Sequence, residues 1–379
     1  MKSRLLLGPG PSPVAPGVTL AMAKPVLGHL DPDFVAMLDD VRERLTRIFR
    51  AGDDGFTFAV SGTGSAGLET AVANLVGPGT RVLAVVTGYF GERLATVCER
   101  YGGQVTRVQG EWGRACDPGA VRRALAERGA EVVAAVHAET STGVINPIAD
   151  VVAVAREHGA LTIVDAVTSL GAHPLEVKDW EIDACYSCTQ KGLGAPSGMA
   201  PVTFSSRAMS RLVDARGFYL DLGLLRDYWI SRKYHHTISA PLIYALLAAL
   251  EAIEEEGIEA RWTRHRRCHE ALVAGLTAMG LSLLPPESDR LWSVNAIRVP
   301  DAVDEATLRR HLLDVFDIEI GAGLGPLAGT IWRVGFMGSG ATYDALLLFL
   351  AALEHGLRAQ RYPVTGGAGT GAAVAALGV

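Results

Sequence analysis

At 379 residues the chain is too long for one small core and suits one large and one smaller domain. Hydrophobic residues make up 49% and aromatics only 7%, a mix suited to buried parallel strands under helices and unlike a disordered or membrane protein. The net charge of −6 gives no reason to expect a nucleic-acid partner. No apolar run reaches membrane-spanning length and neither terminus carries an address, so the cytoplasm is the expected compartment.

In chain order, the first strong signal is Ser61-Gly62-Thr63-Gly64-Ser65-Ala66-Gly67, followed by a helical pattern with Leu68, Ala71, Val72 and Leu75 on one face. Glycines let the backbone approach an anion, and the free N–H groups of a helix start bind phosphate. Gly62, Gly64 and Gly67 also satisfy G-x-G-x-x-G, but a dinucleotide site needs an acid at the end of the next strand. The strand expected over 81–86 runs instead into Thr87-Gly88-Tyr89-Phe90. A smaller phosphorylated cofactor leaves no part missing.

Further strands are expected over 131–136, 161–164 and 200–204, alternating with helices. That alternation predicts βαβ units and an α/β fold with a mostly parallel sheet, its ligand at the carboxyl ends of the strands. One of these strands ends Val164-Asp165-Ala166-Val167. A carboxylate there costs desolvation energy unless a cation or donors meet it, a need that an N-cap or a structural ion pair also fills. Cys185-Tyr186-Ser187-Cys188 is formally a CxxC, yet strand alternation turns its sulfurs apart and no second ligand pair follows, so no metal is expected. Five scattered cysteines do not make a disulfide framework.

Ser187-Cys188-Thr189-Gln190-Lys191-Gly192 then places a lysine after a strand and before a glycine turn. Alone, such a lysine is usually solvated. Twenty-six residues separate it from Asp165, enough for one strand to end, cross over and return alongside. Pyridoxal phosphate (PLP) needs a lysine amine for a Schiff base and a carboxylate to keep its ring nitrogen protonated, so the pair points to that cofactor.

From 241 to 278 the pattern is helical apart from Gly257. Beyond it, strand-like runs at 281–284, 294–299, 318–320 and 331–334, with a helix over 305–315, read as a small α+β domain. The expected division is a large domain with an N-terminal arm over 1–258, a small domain over 259–364, and a loose low-complexity tail over 365–379. Arg333 sits mid-strand among apolar residues, where an arginine needs an anion to meet.

Together these residues resemble the alanine–glyoxylate and serine–pyruvate aminotransferases, the class V branch of fold-type I PLP enzymes. The resemblance runs from Gly8-Pro9-Gly10-Pro11-Ser12 to about Thr342. It is carried by residues 61–64, Glu139-Thr140-Ser141-Thr142-Gly143, residues 164–167 and 187–192, Tyr234-His235-His236-Thr237 and Gly323-Leu324-Gly325-Pro326. It implies that Lys191 carries PLP and acts as the catalytic base, and that Asp165 pairs with the ring nitrogen. Phe90, where the family often has Trp, and Val167 would cover the two ring faces, with Thr140 donating to the ring hydroxyl.

By the same resemblance, Thr63, Gly64, Ser65 (in place of a family His) and Gln190 would hold the phosphate. Tyr234 and Thr237 would arrive from the second subunit of a homodimer that shares its active sites. Arg333 would fork the substrate carboxylate. The implied reaction is ping-pong transfer of an amino group from alanine or serine to glyoxylate or pyruvate. Only Arg232 suggests itself as a receptor for a second carboxylate, and its polar neighbours Ser231 and Lys233 mark it as exposed. The alternatives are an aminoethylphosphonate transaminase or another class V enzyme, and a non-catalytic PLP-binding protein. A cysteine desulfurase fits poorly, since no Cys follows Cys268.

Overall fold

A computed structural model describes residues 2–214 and 217–378; Met1 and Val379, the ends of the expected large domain and tail, lie outside them. Among the described residues seven strands form one sheet. Across it they run Phe56–Ser61, Met199–Phe204, Ala184–Tyr186, Leu161–Asp165, Val132–Val136, Arg81–Val86 and Gln104–Gln109. All point the same way except Met199–Phe204, which is antiparallel to both neighbours. The strands of 132–136 and 161–165 are buried at every residue, which explains their unbroken apolar sequences. Between strands lie amphipathic helices such as Gly64–Leu75, with Leu68, Ala71, Val72 and Leu75 turned inward.

The helical stretch after Pro241 breaks at Gly257, whose φ of +81° suits glycine, into Ala240–Glu256 and Ile258–Ala278. Beyond it Val294–Arg298, Ile331–Gly335 and Gly321–Ala322 make a three-stranded antiparallel sheet. Helices Glu305–Phe316 and Tyr343–Ala359 pack with it around a second apolar cluster holding Trp332, Phe336, Phe349 and Leu350. The N-terminus belongs to this cluster through Leu7, and Leu5–Leu6 pairs in parallel with Ile318–Glu319. No helix among the described residues is long and apolar enough to cross a membrane.

Two expectations need correction. Residues 281–284 make no strand, only one isolated bridge from Leu283 to Ile297. Pro285 and Pro286, which have no N–H to donate, follow at once. The tail is not loose as far as it is described, because Ala368–Leu377 is a helix with Ala373 fully buried. Glu354 accepts from Gly367 N (2.8 Å) and Gly369 N (2.6 Å) at its start. A Cβ on Gly275 would come within 2.9 Å of Gly369 O, so the small residues serve a close helix–helix contact. In the composition that reads as low complexity, the alanines favour a helix and the glycines allow close packing.

Candidate active site

Val136 pairs with Asp165 and Asp165 with Tyr186, so three adjacent strands end in one row. A cavity opens over that row, at the carboxyl ends where an α/β sheet binds ligands. Its wall contains Thr63, Gly64, Ser65, Phe90, Thr140, Asp165, Val167, Gln190 and Lys191, nine of the residues singled out from the sequence. Leu68, Arg93, Val136, Ala138 and Tyr186 complete it, none of which the sequence had marked as site residues.

Asp165 is buried and accepts from Val167 N (2.8 Å) and Tyr186 Oη (2.7 Å). Burial still pushes its carboxyl up to about 6, against the pull of those donors. No cation forms an ion pair with it among the described residues, so the site accommodates a positive charge from a ligand. Lys191 stands apart from the other four lysines, Lys2, Lys24, Lys178 and Lys233, which are all exposed. Its amine donates to Pro9 O, and burial holds it below the usual lysine range. Pro9 and Gly10 went unmarked in the sequence beyond their place in a motif. A Cβ on Gly10 would lie 2.5 Å from Lys191 Nζ, so the arm runs directly against the lysine.

Thr63 caps the helix Gly64–Leu75 with its backbone, and its hydroxyl makes no capping bond. The first N–H groups of that helix have no partner within it. A Cβ on Gly64 would approach Val167 Cγ2 to 3.1 Å and Cys188 Cβ to 3.3 Å, so the loop must be bare to sit here. Gln190 adds a side-chain amide to the wall, whose NH2 can donate to an anion. These features make a cradle for an anion such as phosphate. A carboxylate in want of a cation, a half-buried amine and an anion cradle in one cavity fit PLP.

Arg333 is 7% exposed and lies beside this wall, donating from Nε to Ala322 O (2.7 Å) and from Nη1 to Thr140 O (3.4 Å). Burial lowers it to about 10, opposed by the Glu139 carboxylate. No carboxylate pairs with it among the described residues, which suits a guanidinium kept for an acidic ligand. Tyr234 is 63% exposed and Thr237 is exposed, both outside the cavity of their own chain. Arg232 is only partly exposed, and its guanidinium is held by Asp39 and Trp229 O. Arg93 instead lies at the cavity, 5.1 Å from the Phe90 ring centre, with no carboxylate partner among the described residues.

Residues 21–328 match the family described as Aminotransferase class-V. The alanine–glyoxylate aminotransferase of Drosophila melanogaster is 34% identical over 369 residues, covering 95% of this chain and 93% of that protein. The crystal structure of ureidoglycine–glyoxylate aminotransferase from Bacillus subtilis superposes with a TM-score of 0.98 at 36% identity, covering 100% of this chain and 99% of the other. That of alanine–glyoxylate aminotransferase from Nostoc sp. gives a TM-score of 0.93 at 43% identity, over 94% and 96%. Membership in such a family implies PLP as the cofactor, in keeping with the cavity. The chain belongs to the class-V aminotransferases.

Proposed function

We propose that the protein moves an amino group from a small amino acid, alanine or serine, to a small 2-oxo acid, glyoxylate or pyruvate. The observation that supports this most strongly is the convergence of Lys191, Asp165 and the phosphate cradle on one cavity, with Arg333 at its edge. The names of the relatives add weight to glyoxylate as acceptor. Bound PLP supplies an electron sink for the substrate α-carbon and a temporary seat for the amino group.

The chain's own residues do the rest. Lys191 carries the cofactor and takes the proton from the α-carbon, a role that suits an amine whose burial favours the neutral form. Asp165 holds negative charge against the ring nitrogen. Thr63, Gly64, Ser65 and Gln190 anchor the phosphate, Phe90 and Val167 wall the ring, and Thr140 meets its hydroxyl. Arg333 holds the substrate carboxylate by its planar fork. We assign residues 1–258 to a large domain with an N-terminal arm that reaches across to the small domain of residues 259–364, and the enzyme to the cytoplasm.

Donor size gives the first test. Alanine with glyoxylate should outperform glutamate with 2-oxoglutarate by roughly 10²–10³-fold, because a distal carboxylate would meet only Arg93, an exposed and solvated guanidinium, and would give up its own hydration to do so. Arg333→Lys should lose most of kcat/KM for either donor, since an ammonium cannot make the two-pronged contact. A better rate with glutamate would redirect attention to Arg93, the unpaired cation at the cavity.

A homodimer with shared sites explains why Tyr234 and Thr237 stand exposed and away from their own cavity. Tyr234→Phe with Thr237→Ala should raise the PLP dissociation constant. Mixed dimers of that variant with Lys191→Ala should regain activity, because one composite site is then intact. Subunit exchange that restores nothing would remove the shared site from the proposal.

A further inference from the structure

The least expected charge near the cavity is Glu139. Its carboxyl group is fully buried, yet it hydrogen-bonds to neither Lys191 nor Arg333. It accepts from Phe90 N (3.3 Å) and Gly91 N (3.0 Å), the opening N–H groups of helix Tyr89–Arg100, and from Ser141 N (3.2 Å) and Ser141 Oγ (2.5 Å). Ser141 Oγ in turn accepts from Tyr89 N (3.0 Å). Three successive backbone groups of one helix start are therefore held by two side chains from another segment. Every neighbour donates, so the group acts as an acceptor only; burial pushes the carboxyl up, and the donors, with the positive end of the helix, pull it back toward the anion.

Two further observations mark the arrangement as specific. A Cβ on Gly88 would fall 2.5 Å from both Glu139 Cγ and Ser141 Oγ, so the turn before the helix is stripped bare to admit them. Along residues 138–141 the side chains also alternate. Ala138 and Thr140 line the cavity while Glu139 and Ser141 face the helix start. The Thr140 carbonyl accepts from Arg333 Nη1.

We propose that Glu139 is a positioning residue: with Ser141 it clamps the start of helix Tyr89–Arg100 and so fixes the Phe90 ring over the cavity. The inference rests on the aminotransferase reading for the ring's role, while the clamp is a property of the fold. A glutamine keeps the shape but turns an NH2 toward a backbone donor, so the helix start must shift. The ring moves with it.

The test is a double-mutant cycle on the holoenzyme with Glu139→Gln and Phe90→Ala, read by visible circular dichroism of bound PLP and by kcat and KM separately. In the Phe90 background, Glu139→Gln should at least halve the dichroic band. It should also lower kcat about tenfold, with KM for the donor within threefold. In the Phe90→Ala background the same substitution should change kcat less than twofold. Equal losses in both backgrounds would show that Glu139 acts on the fold at large, and the proposal would fall. If Glu139→Gln does not fold, Ser141→Ala removes one strut of the clamp and is read by the same cycle and criteria. Wild-type protein that binds PLP but does not transaminate overturns the assigned reaction and not the clamp, since the dichroic cycle needs no turnover.

Discussion

Lys191→Ala is expected to abolish transamination while leaving the folded chain nearly unchanged. The lysine's backbone ties survive the truncation: its carbonyl accepts from Ser12 Oγ (2.8 Å) and Gly194 N (3.0 Å), and neither bond uses the side chain. What is lost is the amine, the only non-surface amine among the five lysines. Without it no group in the cavity can both hold the cofactor covalently and take the α-proton. Borohydride treatment of the wild-type holoenzyme, followed by peptide mass mapping, should find the reduced cofactor on Lys191. Label on Lys178 or Lys233 would remove Lys191 from its role.

Asp165→Asn is the second large effect, and it has two faces. In the loaded enzyme a neutral amide no longer stabilises positive charge on the ring. The chemistry should slow by roughly 10²-fold or more, about 3 kcal/mol, with weaker PLP binding. In the cofactor-free protein the sign reverses. Burial raises the Asp165 carboxyl from 3.8 to about 6, so between those values the folded chain binds its proton more tightly than the unfolded chain does. Stability therefore falls as pH rises through that window, by up to about 3 kcal/mol at pH 7. The cofactor-free Asn variant should accordingly melt no lower than wild type at pH 7, and the comparison should shift toward wild type near pH 4. Thermal melts of both proteins, with and without PLP, separate the two faces. A variant that melts far below wild type without cofactor at pH 7, and still turns over within tenfold, would show that another group meets the ring.

Asp165 and Lys191 were legible in the sequence because each carries a chemical demand that its position alone cannot satisfy. The spacing of strand, crossover and strand then brings both to one edge. Arg333 was legible for the same reason, as an arginine inside an apolar strand. Strand direction was not: Met199–Phe204 is buried throughout like the parallel strands of the sheet, and periodicity is blind to which way a strand runs. Glu139 was visible only as the first residue of the Glu139–Gly143 motif, which does not show that a helix start closes on it. Arg93 hid because an arginine one turn into an amphipathic helix resembles any surface charge. Tyr186 hid because strand alternation marks it as core, which it also is.

The N-terminal arm sets a limit on how this protein can be recombined. Residues 5–6 pair with Ile318–Glu319, Leu7 O accepts from Gly335 N, and within five residues the chain reaches Lys191. A chimera that takes its first half from one relative and its second from another, cut near Gly257, would part the arm from the strand it hydrogen-bonds. The natural unit of exchange is discontinuous: the first dozen residues should travel with the portion beyond Gly257, and the long segment between them can then be swapped as a block.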